Sequence, residues 1–550
     1  MVKKYPNIQI TQPTNYPTPN MDYLKIGKAG ELSGLDRKFY RFLEILPGAS
    51  SWATLLGLIV FSYLKPVWVA YFIIVFDVYW LLLVFYLALM LLVSYGKMKK
   101  IRRTDWQEKC AKLDAGEIKD LPESCLAKKG MKLGDVIHLL IVPTHGEPLA
   151  VLRSNIKGIL ADGILTKGMI FVLAIEGRDG EEAKLKAEEL KKEYERYFRN
   201  FIITVHPNIE GELKGKGANQ AWAAKKVKED LIDKEGIPYN KILVSVFDSD
   251  TIVYPGFFHC LTYSFLSVVE PYRASYQPIP LYHNNIWEVP FFSRVAASSN
   301  TFWQMMQQIR PNNLATYSSH SMSWQALVDI GFWSTTMVSE DSRIFWHCYF
   351  FYDGDYRVEP LYFPVSMDSI MIQDNWNTMK GLYKQQRRWG WGVENIPYLI
   401  FNVIKKWKKL PKMDALNKIF VQVYGFHSWA TNAIIIGVIG WLPIFFGGES
   451  FNSMVISGNL PVVTKTLMTL SMSGLLISAI ISSLLMPRKP QGVSTIKRVL
   501  IVLEWLLLPF GIMVFGSFPA LDAQTRLMFG KYMGFLVTPK SRNEEVKLDN

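Results

Sequence analysis

Two kinds of patterning alternate along the chain. Windows at 48–64 and 67–95 are almost wholly apolar, and further apolar windows lie at 428–447, 463–486 and 498–521. A helix needs about 20 apolar residues to cross about 30 Å of hydrocarbon, so each window is a spanning candidate, 48–64 being near the short limit. Lys65-Pro66 breaks the first two apart, and the second runs into Lys97, Lys99, Lys100, Arg102 and Arg103. Basic flanks stay on the cytoplasmic side, which predicts a helical hairpin with both ends in the cytoplasm. Asp77 lies inside the second window. It is either a functional intramembrane carboxylate or one that reaches the interface from near a helix end.

Between these windows the period changes. Val136–Val142 (VIHLLIV) predicts a buried strand closed by Pro143–Pro148, and a helix follows from Leu149 to about Leu160. Met169–Ile175 predicts a second strand ending at Glu176-Gly177-Arg178-Asp179-Gly180, followed by a charged amphipathic helix over 181–198. Phe201–Val205 is a third strand, and a Gly/Lys-rich loop leads to a helix from about Gln220 to Asp233. The fourth strand, Lys241–Phe247, runs straight into Asp248-Ser249-Asp250. Strand–helix alternation of this kind predicts a parallel α/β sheet with its ligands beyond the carboxyl ends of the strands. A further strand is expected at about 361–365 and a helix over 375–392. Residues 398–410 (YLIFNVIKKWKKL) have an apolar face and a Lys/Trp face, and read as a helix lying in the membrane plane.

Composition narrows the class. The 550 residues suffice for two or three domains. The mean hydropathy of +0.10 averages over very unlike segments. The net charge is +13, and Lys and Arg gather beside the apolar windows, as expected of flanks drawn to anionic lipid. No basic face with interleaved aromatics lies apart from those flanks, which argues against nucleic acid as a partner. Cys110, Cys125, Cys260 and Cys348 are scattered, so neither a disulfide framework nor a zinc site is expected, and a reducing cytosolic setting fits. The first 20 residues hold no apolar core and are not read as a signal peptide. The expected organisation is an N-terminal segment 1–47, a transmembrane hairpin 48–96, a cytosolic α/β domain 97–397, interfacial helices 398–427, C-terminal transmembrane helices 428–522 and a cytosolic loop and tail 523–550.

Three clusters carry candidate chemistry. Asp248 and Asp250, at a strand end, suit a divalent cation such as Mg²⁺ or Mn²⁺ that also grips a diphosphate; a solvated turn is the plain alternative. Glu340-Asp341 offers a general base for a hydroxyl, or the acidic first turn of a helix capped by Ser339. Gln385, Arg388 and Trp389 share one helical face at i, i+3 and i+4. There the guanidinium suits a phosphate and the indole a sugar or base, unless the helix is simply a basic aromatic one beside the membrane.

Taken in order, Asp248-Ser249-Asp250, Ser339-Glu340-Asp341 and Gln385-Gln386-Arg387-Arg388-Trp389 resemble the D-x-D, T/S-E-D and Q-(Q/R)-x-R-W motifs of the membrane-integrated family 2 glycosyltransferases, the group of cellulose and hyaluronan synthases. The resemblance covers about residues 130–400. Lys214-Gly215-Lys216-Gly217-Ala218-Asn219 is similar to that family's Lys-rich loop ending in Asn. Phe535-Leu536-Val537-Thr538-Pro539-Lys540 resembles the F-x-V-T-x-K gating loop of bacterial cellulose synthases.

The resemblance implies a GT-A fold and inverting transfer from a nucleotide sugar, most often a UDP-sugar. Asp341 would be the base, with Glu340 beside it, and Asp248 and Asp250 would hold metal and diphosphate. Lys214, Asn219, Gln385, Arg388 and Trp389 would bind the nucleotide sugar, with Phe535, Thr538 and Lys540 closing over it. Where the family places a base-contacting Asp after its second strand, this chain has Glu176 or Asp179. An aromatic and Asn-rich stretch, about 282–316, is particular to this chain and would shape the acceptor pocket; His283 and His320 near it read equally as structural residues or ligands.

One topological conflict follows. Arg488, Lys489, Lys497 and Arg498 belong in the cytoplasm, as does the gating-like loop, yet only 498–521 lies between them. A re-entrant or broken helix hinged at Pro509 reconciles the two. The expected protein is integral to the cell (inner or plasma) membrane, with its catalytic domain cytoplasmic. It would extend a polysaccharide and pass it through its own helices; the alternatives are single-sugar transfer to a lipid or small acceptor, and a nucleotide-binding transporter or receptor without turnover.

Overall fold

The computed structural model describes residues 21–488, 494–534, 542 and 544–546. Phe535, Thr538 and Lys540 lie outside the described residues.

The first apolar window belongs to a longer helix, α1 (Gly34–Leu64), which continues through Pro47. Its neighbour Gly48 explains why that point holds: a Cβ there would stand 2.7 Å from the Gln524 carbonyl of a later helix. α2 (Pro66–Arg102) starts with proline at its first turn, where the missing donor costs nothing.

The α/β domain follows as β1 (Ile137–Thr144), α3 (Leu149–Leu160), β2 (Ile170–Glu176), α4 (Gly180–Tyr194), β3 (Asn200–His206), α5 (Lys216–Val227), β4 (Ile242–Val246), β5 (Ile252–Val253), β6 (Ala274–Leu281), α6 (Phe291–Gln308), β7 (His320–Ser323), α7 (Glu340–Phe351), β8 (Arg357–Ser366) and α8 (Asn375–Gly390). The strands form one sheet in the order β3-β2-β1-β4-β7-β6-β8-β5. The β3-β2-β1-β4 half is parallel throughout. The other half departs from the all-parallel expectation: β7 is antiparallel to both β4 and β6, β8 is parallel to β6, and β5 is antiparallel to β8. Its strands escape pattern reading for physical reasons. β6 carries two prolines and a register shift between Gln277 and Ile279. β7 is the polar tetrapeptide HSMS, yet it is fully buried, and its Ser321 hydroxyl meets Ser245 of β4 at 2.6 Å.

α9 (Asn395–Lys405) corrects the expectation of a helix lying in the membrane plane. Its apolar face, Tyr398, Leu399, Phe401 and Val403, is buried in the domain core, where Tyr398 packs on Phe350 and Phe401 on Tyr40 of α1. An amphipathic pattern reports only that one face meets an apolar phase, and here that phase is protein.

α10 (Lys412–Gly437) bends by 45° into a short continuation, Ile439–Phe446, and α11 (Val455–Leu485) follows. Among the described residues four helices are long and apolar enough to cross a membrane, or five with that bent pair. Asp77 is buried between α2 and α11, where it accepts a hydrogen bond from Thr464 (2.8 Å), so it serves helix pairing.

The last apolar window forms a single spanning candidate, Val499–Met528, and not the re-entrant or broken helix expected at Pro509, although its turns are irregular. A 3₁₀ turn at Glu504–Leu507, a restart with Pro509 in the first turn and a π turn at Met513–Ser517 precede α12 (Phe518–Met528). Contacts with the α/β domain recur along its length. Lys497 donates to the Trp287 carbonyl (2.8 Å), Glu504 pairs with Arg294 (2.7 Å), Phe515 stacks on Phe292 and Asp522 pairs with Arg387 (2.9 Å).

Candidate active site

Parallel strands put their carboxyl ends on one edge, and the candidate residues collect there. Asp248, just beyond β4, sits between two donors: Lys216 Nζ lies 2.6 Å from Oδ1, and Ser318 Oγ donates to Oδ2 at 2.5 Å. Asp250 is fully buried, and its Oδ2 accepts from the Asp368 backbone N–H at 3.0 Å. Asn284 ties the two together, donating to the Asp250 carbonyl (2.9 Å) and to Asp368 Oδ1 (2.7 Å).

Glu340 and Asp341 open α7, but Ser339 does not cap it as expected. Its hydroxyl and backbone N–H both turn to Glu394 Oε1, at 2.6 and 3.1 Å. Asp341 accepts from two backbone N–H groups, Ser318 to Oδ2 (2.7 Å) and Ser342 to Oδ1 (2.8 Å). Ser318 thus holds Asp248 through its hydroxyl and Asp341 through its amide. It does so at φ +49°, a left-handed conformation that a non-glycine residue keeps only where its surroundings enforce it.

Glu340 is buried 3% exposed, and burial, reinforced by the neighbouring Asp341 charge and opposed by Lys216 and Arg388, pushes its carboxyl up to about 8. That direction favours the protonated form of Glu340. Burial alone would pull the Lys216 ammonium down, but Asp248, Glu340 and Asp341 outweigh it and the net direction is up.

These groups line one cavity of about 1020 Å³, which also takes in Glu176, Asn219, Gln385, Arg388 and Trp389. Trp389 leans on Tyr282 with ring centroids 6.1 Å apart. Arg387 points the other way, to Asp522. Asn219 donates its amide to the Ala174 carbonyl (2.8 Å), fastening α5 to β2.

Two expected binders sit elsewhere. Lys214 lines a separate small pocket with His206 and Glu212, and Lys216, the first residue of α5, takes the place beside Asp248. Asp179 stands behind the wall, paired with His145 at 2.5 Å. Glu176 does reach the cavity, held from behind by His206 Nδ1 (3.2 Å), whose Nε2 meets Glu212 (3.0 Å). His283 and His320 are both pushed down to about 4, chiefly by burial. Lys216 and Ser318 are the residues that sequence reasoning passed over. The paired lysines of the 214–219 loop and the Ser-Ser step before His320 were the only signals for them.

Beyond Asp341 the cavity continues between α2, α6, α10 and residues 508–517. α6 lies within the aromatic and Asn-rich stretch, and contributes Asn300, Trp303, Gln304 and Gln307 to the wall.

Known proteins match parts of this chain. An 86-residue segment is 31% identical to the poly-beta-1,6-N-acetyl-D-glucosamine synthase of Staphylococcus aureus, in strains COL and N315 among others. That segment is 16% of this chain, and the chain spans about a fifth (19%) of the length of these curated relatives. Among solved structures, the mannosyltransferase PcManGT from Pyrobaculum calidifontis in complex with GDP-Man and Mn²⁺ is 10% identical, with a TM-score of 0.38 over 74% of this chain and 98% of that one. S. aureus TarS 1–349 in complex with UDP-GlcNAc is 11% identical, with a TM-score of 0.31 over 64% and 91%. The family model described as glycosyl transferase family group 2 matches residues 243–514, from β4 into the last apolar span. That stretch carries the D-x-D, the acidic pair and the Q-Q-R-R-W helix on a mixed sheet, and over it this chain matches the family 2 glycosyltransferases.

Proposed function

We propose that the protein is a membrane-embedded inverting glycosyltransferase. It moves a sugar from a nucleotide sugar, a UDP-sugar first of all, onto the hydroxyl of a growing polysaccharide where cytosol meets the bilayer. The observation that carries this reading is the Ser318 bridge, which ties the proton acceptor Asp341 to the diphosphate-side carboxylate Asp248.

Asp341 takes the proton from the acceptor hydroxyl while that oxygen bonds to the anomeric carbon. The bond from that carbon to the phosphate oxygen breaks, and the nucleotide diphosphate leaves with the electron pair. Lys216, already beside Asp248, balances the leaving charge. Arg388 and Trp389 meet phosphate and sugar across the cavity, and Glu176 takes the nucleobase edge. Asp248 and Asp250 offer the all-oxygen donor set that Mg²⁺ and Mn²⁺ prefer, and among the described residues no third His, Cys, Asp or Glu closes it into a cage. A cation held there would neutralise the diphosphate. Basic residues at the end of α2 support a cytoplasmic catalytic domain.

The amide and aromatic walls beyond Asp341 suit a glycan, since rings stack on sugar faces and amides bond hydroxyls. A second reading, transfer of one sugar to a lipid, draws support from the exposure of several cavity-lining aromatics at the membrane level.

The test is nucleotide release by purified protein with UDP-sugars and Mn²⁺ or Mg²⁺. Release that depends on Asp341 is expected. No release with any nucleotide sugar, or equal release by Asp341→Asn, would overturn the reading, and nucleotide binding without turnover would indicate a binding protein.

A further inference from the structure

The far end of the cavity holds a charge without a counterpart. Arg310 lines it just past the end of α6, and among the described residues its guanidinium makes no hydrogen bond or ion pair. Its Nε is closed off from solvent, and its contact is the Tyr86 ring of α2, 6.0 Å away. A cavity-lining guanidinium with a buried, unsatisfied donor and no carboxylate beside it calls for an anion.

The level of this site follows from α2. Lys65 stands just before its start, and 20 residues at about 1.5 Å each cover about 30 Å, which ends at Phe85–Tyr86. α2 stays apolar and exposed beyond that point, at Leu89, Leu92 and Val93, up to its basic end from Lys97, so Tyr86 and Arg310 lie in the half of the bilayer next to the catalytic side. The cavity opens there. Tyr86 of α2, Trp303 of α6, and Phe420 and Tyr424 of α10 all line it and are all exposed, at 41, 47, 65 and 38%. An aromatic-rimmed mouth between helices at this depth faces lipid. Asn417 and Lys418 of α10 fix the floor, bonding the side chain of Asn313 and the carbonyl of Asn312 at 2.8 Å each.

The base is near. Thr316 donates to the Asp341 carbonyl (2.6 Å), and the six residue steps from Arg310 to Thr316 span at most about 22 Å of chain.

We propose that the acceptor enters sideways from the bilayer and is a short glycan carried on a lipid phosphate, whose phosphate binds Arg310. This rests on the glycosyltransferase reading of the same cavity and names its acceptor class. The nucleophile is a hydroxyl of the lipid-borne sugar, with its proton going to Asp341. The anchoring phosphate takes no part in bond making.

The experiment measures equilibrium binding of radiolabelled farnesyl phosphate, a polyprenyl monophosphate, to the full-length protein in nanodiscs. Farnesol and inorganic phosphate serve as competitors, and UDP binding is measured on the same samples. Farnesyl phosphate should bind the parent, with farnesol and inorganic phosphate competing poorly. Arg310→Gln should weaken it about 10- to 100-fold, the loss of a charge-assisted contact, and Arg310→Lys by less. Nucleotide affinity within twofold of the parent shows that each variant is folded. If Arg310→Gln fails that control, Arg310→Lys and Trp303→Ala at the mouth carry the test, and both should weaken farnesyl phosphate. Equal binding by parent and folded variants overturns the inference, as does displacement by inorganic phosphate as readily as by the lipid. Failure of the parent to bind UDP counts instead against the donor site, so the two readings fail separately.

Discussion

Gly217→Ala probes the acidic pair without removing a charge. Gly217 is the second residue of α5 and faces α7. A Cβ there would stand 2.8 Å from the Ser334 carbonyl oxygen, 2.9 Å from Glu340 Cγ and 3.0 Å from Glu340 Cβ. Ordinary contact begins at 3.4 Å, so the worst clash must open by 3.4 − 2.8 = 0.6 Å. Ser334 contributes backbone, and Glu340 is packed at the start of its helix, so the relief moves the first turn of α7 and Asp341 with it. Overpacking of this kind costs about 1–3 kcal/mol. Alanine returns about 1 kcal/mol of helix propensity, leaving a net loss of about 0–2 kcal/mol. The rate suffers more, because a misplacement of about 1 Å costs about 100-fold, and 0.6 Å should cost about tenfold or more. The assay is nucleotide release under saturating donor, with a thermal melt on the same samples. A kcat within twofold of the parent together with a raised Tm would refute the claim that α5 and α7 set the position of the base.

Lys216→Ala should raise the donor KM about tenfold or more, while Lys214→Ala stays within about twofold; the reverse order would return the cationic role to Lys214. Glu340→Gln should change the pH dependence of stability. The folded carboxyl titrates near about 8 against an unfolded value of 4.5, so between those limits the folded state holds the extra proton and stability falls as pH rises. The slope is at most about 1.4 kcal/mol per pH unit, and it should vanish in Glu340→Gln melts taken from pH 5 to 8. Asn219→Ala leaves the buried Ala174 carbonyl without its partner and should cost about 1–3 kcal/mol, read as a lowered Tm; an unchanged Tm would deny the α5–β2 tie.

The sequence was most legible where burial is uniform. β1, β2 and β4 are continuous apolar runs, and Asp248 follows the last of them, so position and chemistry were read together. The spacing of Gln385, Arg388 and Trp389 likewise became one cavity wall, because helical periodicity survives into the fold. Legibility failed where tertiary context overrides local pattern. β7 is polar because serines pair with serines across the sheet, and nothing in HSMS announces a central strand. α9 looked like a membrane-surface helix because an apolar face does not name its neighbour. Choosing between Lys214 and Lys216 needed the start of α5, since a step of two residues sends the side chain to a different pocket. Ser318 was hidden more deeply, since its role depends on a left-handed backbone that serine does not advertise.

The most direct test of the account is a single-turnover comparison of the parent and Asp341→Asn, with donor affinity measured beside it. Transfer to acceptor should fall by about 100-fold or more in Asp341→Asn, as expected for loss of a general base, while the nucleotide Kd stays within twofold. Equal transfer by the two proteins, with donor bound equally, would contradict the assignment of Asp341 and the chemistry built on it.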